Sequence, residues 1–301
     1  LLCLQEALFP GLDNQLHGRL GRIQTPGGTG ALRLALEIVA QANPHAEVWL
    51  GVPSWPAHLP LIHATGLAPR TYRYLDVNGK VDWTSVEMVL KQVRAGDVLM
   101  LHGCCHNPTG NDLPLETWQK IAKVAALNGV TVLVDLAYAG LGDGLEDDVA
   151  GVREVFAKCD NALVAVSCSK SFGLYRDRTG MLMLLGESPT ITQNLVRTAA
   201  SHARLLWSNP PDHGAAVVRT ILNSPALTAC WLQELKVMRM RINALREQLS
   251  NLQRPRLDLG SIKHQRGIFA LLPLAADEVQ ELRERHGVYM DATGRINVSG
   301  L

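Results

Sequence analysis

Short apolar runs alternate with amphipathic helical stretches along most of this 301-residue chain. Strand candidates lie at residues 47–50, 71–74, 98–101, 131–134, 163–166 and 181–185. Several are apolar at every position, so both faces of the strand need cover, as in a parallel sheet layered by helices. Helical patterns fall between them. Residues 30–40 place Leu32, Leu36 and Val39 on one side, and residues 115–127 carry Trp118, Ile121, Ala122 and Ala125. Asp112, two residues before Pro114, reads as a start signal for the second of these helices. Alternation of this kind specifies a doubly wound α/β domain.

Around residue 225 the pattern changes. Leu235, Met238, Ile242, Leu245, Leu249 and Leu252 recur at helical spacing, giving one long helix over residues 226–252. Arg239, Arg241 and Arg246 are assigned to its other faces, and the loop Gln253-Arg254-Pro255-Arg256 to its end. A smaller strand–helix–strand pattern follows. We expect a large domain over residues 1–236 and a small one over 237–301. The opening Leu1-Leu2-Cys3 and the closing Val298-Ser299-Gly300-Leu301 read as cuts within a longer chain.

Composition narrows the function. Lys plus Arg is 29 against 28 for Asp plus Glu, a net charge of +1, so nothing drives the chain electrostatically toward nucleic acid or an anionic membrane. No apolar run approaches the roughly 18 residues of a membrane span. The six cysteines (Cys3, Cys104, Cys105, Cys159, Cys168 and Cys230) form no C-x-x-C pair. They read as reduced thiols, which suits a cytoplasmic protein.

In an open α/β sheet, ligands bind beyond the carboxyl ends of the strands. The run at 98–101 leads into His102-Gly103-Cys104-Cys105-His106-Asn107-Pro108-Thr109-Gly110, that at 131–134 into Asp135-Leu136-Ala137-Tyr138, and that at 163–166 into Ser167-Cys168-Ser169-Lys170. Each piece alone has an ordinary reading. Asp135 fits a helix N-cap, Asn107-Pro108-Thr109-Gly110 a turn, and Lys170 a surface lysine. Gly27-Gly28-Thr29-Gly30 fits a generic anion site at a helix start. His102 and His106 with the two cysteines between them could suggest zinc, but Gly and Pro in the stretch argue against a helix and so against metal. Together the pieces supply what pyridoxal phosphate requires. These are a lysine amine, an acid for the pyridine nitrogen, donors for a phosphate and hydrogen bonds for a phenolic oxygen.

Longer segments carry a family resemblance. Thr25-Pro26-Gly27-Gly28-Thr29-Gly30-Ala31-Leu32, Pro53-Ser54-Trp55-Pro56, the stretch from His102 to Gly110, Ser167-Cys168-Ser169-Lys170-Ser171-Phe172-Gly173-Leu174-Tyr175, Trp207-Ser208-Asn209-Pro210-Pro211 and Gly294-Arg295-Ile296-Asn297-Val298 resemble, in order, the aspartate and aromatic aminotransferases. The resemblance implies a fold-type I pyridoxal-phosphate transferase with shared sites in a homodimer. It implies that Lys170 holds the cofactor covalently and that Asp135 keeps its pyridine nitrogen protonated, with His58 and His102 behind it. Tyr138 and Asn107 would bind the phenolic oxygen, and Trp55 would stack on the ring. Gly28, Thr29, Ser167, Ser169 and Arg178 would bind the phosphate. Arg295 would grip the substrate α-carboxylate, and Arg204 would reach into the partner's site for a distal carboxylate.

Some positions depart from the family's pattern. Ala57 and Val52 stand where many relatives have Asn, and the family's amino-terminal segment and final helix have no counterpart in these residues. Thr29 and Asn209 favour a dicarboxylate substrate, whereas Leu205 and Leu206 favour an aromatic one. The expected reaction is ping-pong amino transfer between aspartate, or a related amino acid, and 2-oxoglutarate. An aromatic preference, a lyase or decarboxylase on the same cofactor, and a non-catalytic dimeric paralogue are the alternatives.

Overall fold

The computed structural model describes residues 1–252 and 259–301. The loop expected at 253–256 lies outside the described residues. Seven strands form the main sheet: β1 Leu20–Pro26, β2 Glu47–Val52, β3 Ala68–Arg73, β4 Val98–His102, β5 Thr131–Leu136, β6 Ala162–Ser167 and β7 Thr179–Leu185. Their spatial order is β1-β7-β6-β5-β4-β2-β3. All pairings are parallel except those of β7, which runs against both β1 and β6.

The apolar runs became strands because each residue in them has a core to enter. Side chains alternate across a strand. Val132 and Val134 of β5 therefore enter one core cluster and Leu133 the other. Met181, Met183 and Leu185 of β7 are likewise separated from Leu182 and Leu184. One face is covered by the helix Gly27–Ala42 through Leu32, Leu36 and Val39. The other is covered by Leu115–Asn128 and Ala150–Lys158 through Trp118, Ile121, Val152 and Val155.

Several local expectations shift. The run expected at 71–74 is the edge strand β3, which starts at Ala68 and is exposed at four of its six positions. The helix expected from residue 30 starts at Gly27, whose φ of +74° turns the chain out of β1. Asp112 does not start the following helix, whose N-cap is Pro114. Its carboxylate instead accepts the Cys105 and His106 N–H groups at 2.8 Å each, amides that the turning loop leaves without strand partners. Val298–Gly300 forms a 3-10 turn directly after the strand Arg295–Asn297, so a strand runs into a turn there.

The long helix spans Pro225–Ser250, so the expected division after residue 236 falls inside it. Leu235 and Ile242 are buried as expected, but Met238 and Leu252 are exposed. Arg246 does not decorate an outer face. It lies one turn beyond Ile242, on the buried stripe, and is 0% exposed. Near its start this helix is tied to the main sheet's side by Trp231, whose indole donates to the Ser171 carbonyl at 2.8 Å. Near its end it packs on the 3-10 turns Gly260–His264 and Val298–Gly300, next to a small antiparallel sheet, β8 Phe269–Leu271 with β9 Arg295–Asn297. No helix among the described residues is long and apolar enough to cross a membrane.

Candidate active site

Five strands bring their ends to one sheet edge. β4 and β5 are paired with His102 beside Asp135. β6 ends at Ser167, opposite Gly180 of β7, and β1 ends at Pro26, opposite Thr179. Because β7 is antiparallel, its start, just after Arg178, shares this edge with the ends of the others. The resulting cleft is lined by Gly28, Thr29, Trp55, His102, Asn107, Asp135, Tyr138, Ser167, Ser169, Lys170 and Arg178. All but two of the residues expected to form the site, Arg204 and Arg295, therefore line one cavity.

Asp135 is 7% exposed at the cleft floor. Its Oδ2 lies 3.0 Å from Nε2 of the fully buried His58, whose Nδ1 lies 2.8 Å from Ser54 Oγ. Burial raises the Asp135 pKa, but the His58 hydrogen bond and nearby positive charge, Lys170 included, outweigh it and hold the carboxyl below its ordinary range. The His102 ring stands 4.9 Å from that of His58, and His106 stands 4.2 Å beyond His102 and stacks on Tyr74 at 3.9 Å. Burial, then the neighbouring His58, pushes His102 down to about 3, so its imidazole is neutral. His102 and His106 thus belong to a row of rings in which the histidine pairs are tilted and the Tyr74–His106 pair is stacked. Trp55 meets His58 edge-on at 5.3 Å.

Lys170 follows β6, with its Nζ 4.8 Å from the Tyr138 ring centre. Burial lowers its pKa; Asp135 opposes that shift and Arg178 adds to it. Burial, then the Asp135 charge, pushes the Tyr138 phenol up, and a hydrogen bond from the Asn107 side chain opposes them. Asn107 in turn accepts from Arg295 Nη1 at 3.4 Å. Arg295 sits on β9, with its guanidinium 5.0 Å from the Phe269 ring and Nη2 3.6 Å from Asp291.

The other end of the cleft is built for an anion. The helix Gly27–Ala42 opens there with backbone N–H groups aimed outward. Ser167 Oγ accepts the Ser169 N–H at 3.2 Å, and Arg178 Nη1 reaches Ser169 Oγ at 3.5 Å. Arg178 holds a left-handed φ of +51°, uncommon for a residue with a side chain. The cradle has no spare room at its glycines. A Cβ on Gly27 would lie 2.5 Å from Arg178 Nη2, and one on Gly28 would lie 3.0 Å from Ser167 Cβ. A helix start flanked by Ser167, Ser169 and Arg178 at one end, an acid of depressed pKa at the floor and an amine of lowered pKa in the same cleft fit the chemistry that pyridoxal phosphate requires.

Arg204 lies elsewhere. It ends the helix Pro189–Trp207 and lines a separate groove with Gln24, Trp207, Ser208 and Asn209. Cys104, Cys105 and Asp148 form a buried group, but the Asp148 oxygens already accept N–H groups from Gly140, Gly142, Asp143 and Gly144. The residue reading missed three contributors. Ser54 orients His58, and its spacing of four residues from that histidine was the available signal. Tyr175 lines the cleft mouth, and Phe269 lies against both Arg295 and Tyr138.

Residues 7–301 match the model of the class I and II aminotransferases. The chain is 45% identical over 293 residues to a tyrosine aminotransferase of Rhizobium meliloti, covering 97% of this chain and 75% of that protein. It is 41% identical over 304 residues to an aspartate aminotransferase of Salmonella typhi, covering 99% and 77%. A solved aromatic amino acid aminotransferase with 3-indolebutyric acid superposes with a TM-score of 0.94 at 40% identity, covering 100% of this chain and 77% of that one. The chain therefore belongs to the class I and II aminotransferases, a family that uses pyridoxal phosphate.

Proposed function

We propose that this chain, a pyridoxal-phosphate aminotransferase, moves amino groups between a dicarboxylic amino acid and 2-oxoglutarate in two ping-pong half-reactions. The observation that carries the reading is the placement of Lys170 between an ionised, histidine-backed Asp135 and the Arg295–Asn107 pair. Bound pyridoxal phosphate supplies a carbonyl for the amino group and a ring that takes up the electron pair left at Cα. Gly28, Thr29, Ser167, Ser169 and Arg178 hold the phosphate. Asp135 holds a proton on the pyridine nitrogen, and His58 keeps Asp135 ionised. Tyr138 and Asn107 bind the phenolic oxygen, and Trp55 covers the ring. Arg295 fixes the α-carboxylate by its guanidinium fork. Burial favours the neutral form of the Lys170 amine, which would take the proton from Cα and deliver it to the cofactor carbon that bore the carbonyl, and the reverse in the second half-reaction.

Assembly belongs to the same proposal. Arg204 and Asn209 line a groove away from Lys170, which supports a homodimer in which Arg204 serves the partner's site. We further propose residues 1–236 as the cofactor-holding unit, 237–301 as the unit that brings Arg295, and a cytoplasmic setting suited to six free cysteines.

A second reading, an aromatic preference, rests on Leu205, 83% exposed beside Arg204, and on the aromatic and tyrosine enzymes among the relatives. Initial rates with aspartate, tyrosine and phenylalanine, each with 2-oxoglutarate, separate the two. A dominant aspartate rate supports the first reading, and a dominant aromatic rate replaces it with the second.

A further inference from the structure

Arg246 is an arginine with no exposed surface. Among the described residues no carboxylate lies within ion-pair distance of it. A buried charge is costly unless its hydrogen bonds are met, and here carbonyl oxygens meet them. Nε and Nη2 reach the Gly267 carbonyl at 3.2 and 2.7 Å, and Nη2 also reaches those of Arg266 at 3.2 Å and Phe269 at 2.6 Å. Nη1 reaches the Ile262 carbonyl at 3.4 Å and Gln265 Oε1 at 3.2 Å. Burial lowers its pKa to about 10, so it stays charged at neutral pH.

The segment it grips connects to the cleft in three ways. β8 pairs with β9 so that Leu271 stands opposite Arg295, and Val298 N–H donates to the Ile268 carbonyl at 2.8 Å. The Phe269 ring lies 5.0 Å from the Arg295 guanidinium. Arg266 N–H donates to the Gly110 carbonyl at 2.7 Å, at the end of the loop that carries Asn107. This approach is backbone-tight, since a Cβ on Gly110 would lie 3.0 Å from the Phe269 carbonyl oxygen and one on Gly267 would run into Cys105.

We infer that Arg246 is a positioning residue for carboxylate recognition: its carbonyl-bound guanidinium fixes the backbone of residues 262–269, and that backbone sets Phe269 and β9 so that Arg295 reaches Asn107 at the cleft wall. The inference rests on the reading of Arg295 as the α-carboxylate ligand. It adds a demand that a merely structural arginine would not make. Loss of Arg246 weakens carboxylate binding while the phosphate end, on the opposite side of the cleft and held by β1, β6 and β7, keeps its affinity for the cofactor.

The test uses the cofactor-loaded protein and two carboxylates that lack an amino group, succinate and 3-phenylpropionate, titrated calorimetrically. In Arg246→Met both should bind about 10- to 100-fold more weakly, the loss expected from a displacement of order 1 Å at a positioned group. Affinity of the apoprotein for pyridoxal phosphate should fall by no more than about 3-fold, far less than carboxylate binding, and amides 266–271 should exchange hydrogen faster. Arg246→Lys, which keeps the charge but not the fork, should recover part of the binding. Arg295→Met tests the underlying reading. If it retains carboxylate binding, that reading falls and the inference with it; if it loses binding while Arg246→Met keeps it, only the inference falls. A parallel loss of cofactor affinity in Arg246→Met also overturns it. Should Arg246→Met fail to fold, Phe269→Leu keeps the anchor and removes the ring beneath Arg295. It should weaken carboxylate binding about 3- to 10-fold, and unchanged binding would overturn the inference.

Discussion

His58 Nε2 and Asp135 Oδ2 lie 3.0 Å apart, and the other nitrogen of His58 lies 2.8 Å from Ser54. The acid at the cleft floor therefore has a fixed neighbour that is itself fixed. The Asp135 pKa is depressed in the fold, so its stabilising contribution is present above about pH 4 and lost as pH falls through the depressed value. His58→Leu removes the bond that wins against burial. Hydrogen bonds to charged groups contribute about 1.5–3 kcal/mol, so affinity for pyridoxal phosphate should fall roughly 10- to 150-fold. Asp135→Ala should lose turnover by orders of magnitude, and Asp135→Glu less. Reconstitution titrations and steady-state rates check these, and wild-type affinity in His58→Leu would show that Asp135 needs no partner.

Lys170 carries a penalty where Asp135 stabilises, although both contributions rise with pH. Its pKa is lowered, mainly by burial, so the folded apoprotein holds fewer protons there than the unfolded chain does. Stability from this group therefore rises with pH between the lowered value and the unfolded value of about 10.4, and the penalty is full below that window. Lys170→Met removes the penalty. Its apoprotein should melt higher than wild type at pH 7, by roughly 2 °C or more, while transamination is abolished. A lower melting temperature for the variant would contradict the desolvation account.

Gly180 sits where β7 crosses the end of β1, and a Cβ there would lie 2.5 Å from the Gly27 carbonyl carbon. Backbone cannot rotate away as a side chain can. Gly180→Ala should therefore cost about 1–3 kcal/mol, as overpacking does, and should weaken phosphate binding because Gly27 opens the anion site. Thermal melts with and without inorganic phosphate test both effects, and a wild-type phosphate-induced shift would separate Gly180 from the site.

The strands most legible in the sequence, β4 to β7, are those buried on both faces, where continuous apolar composition is required. β1 was missed because it is an edge strand carrying Arg22 and Gln24, and its Gly21 leaves room for Val196 of the covering helix. Asp135, within β5, and Lys170, just after β6, were legible because those strands could be placed, and the family motifs then implied roles for them. Arg246 was not legible. An arginine on a helix reads as solvated, and only the tertiary structure shows a row of carbonyls waiting for it. Asp112 was misplaced for a similar reason, since a helix start and a loop staple use the same residue type.

Arg204 tests substrate choice and assembly together. It lies at the end of an exposed helix, in a groove that shares no lining residue with the Lys170 cleft. A surface arginine there would contribute little. A clamp for a second carboxylate in the partner's site would contribute much, since truncating one member of a buried, hydrogen-bonded charge pair costs about 2–5 kcal/mol. Arg204→Ala should then lower kcat/KM for aspartate roughly 30- to several-thousand-fold. Phenylalanine should change little, because it has no second carboxylate to lose a partner. Equal losses for the two substrates would remove the clamp. The geometry also has a direct test. In a heterodimer of Arg204→Ala with Lys170→Ala, one site combines the intact lysine of one subunit with the intact arginine of the other, and the second site carries both substitutions. Such hybrids should recover aspartate activity that neither parent possesses, up to about half of the wild-type sites. Verified heterodimers with no recovery would place Arg204 in the site of its own chain.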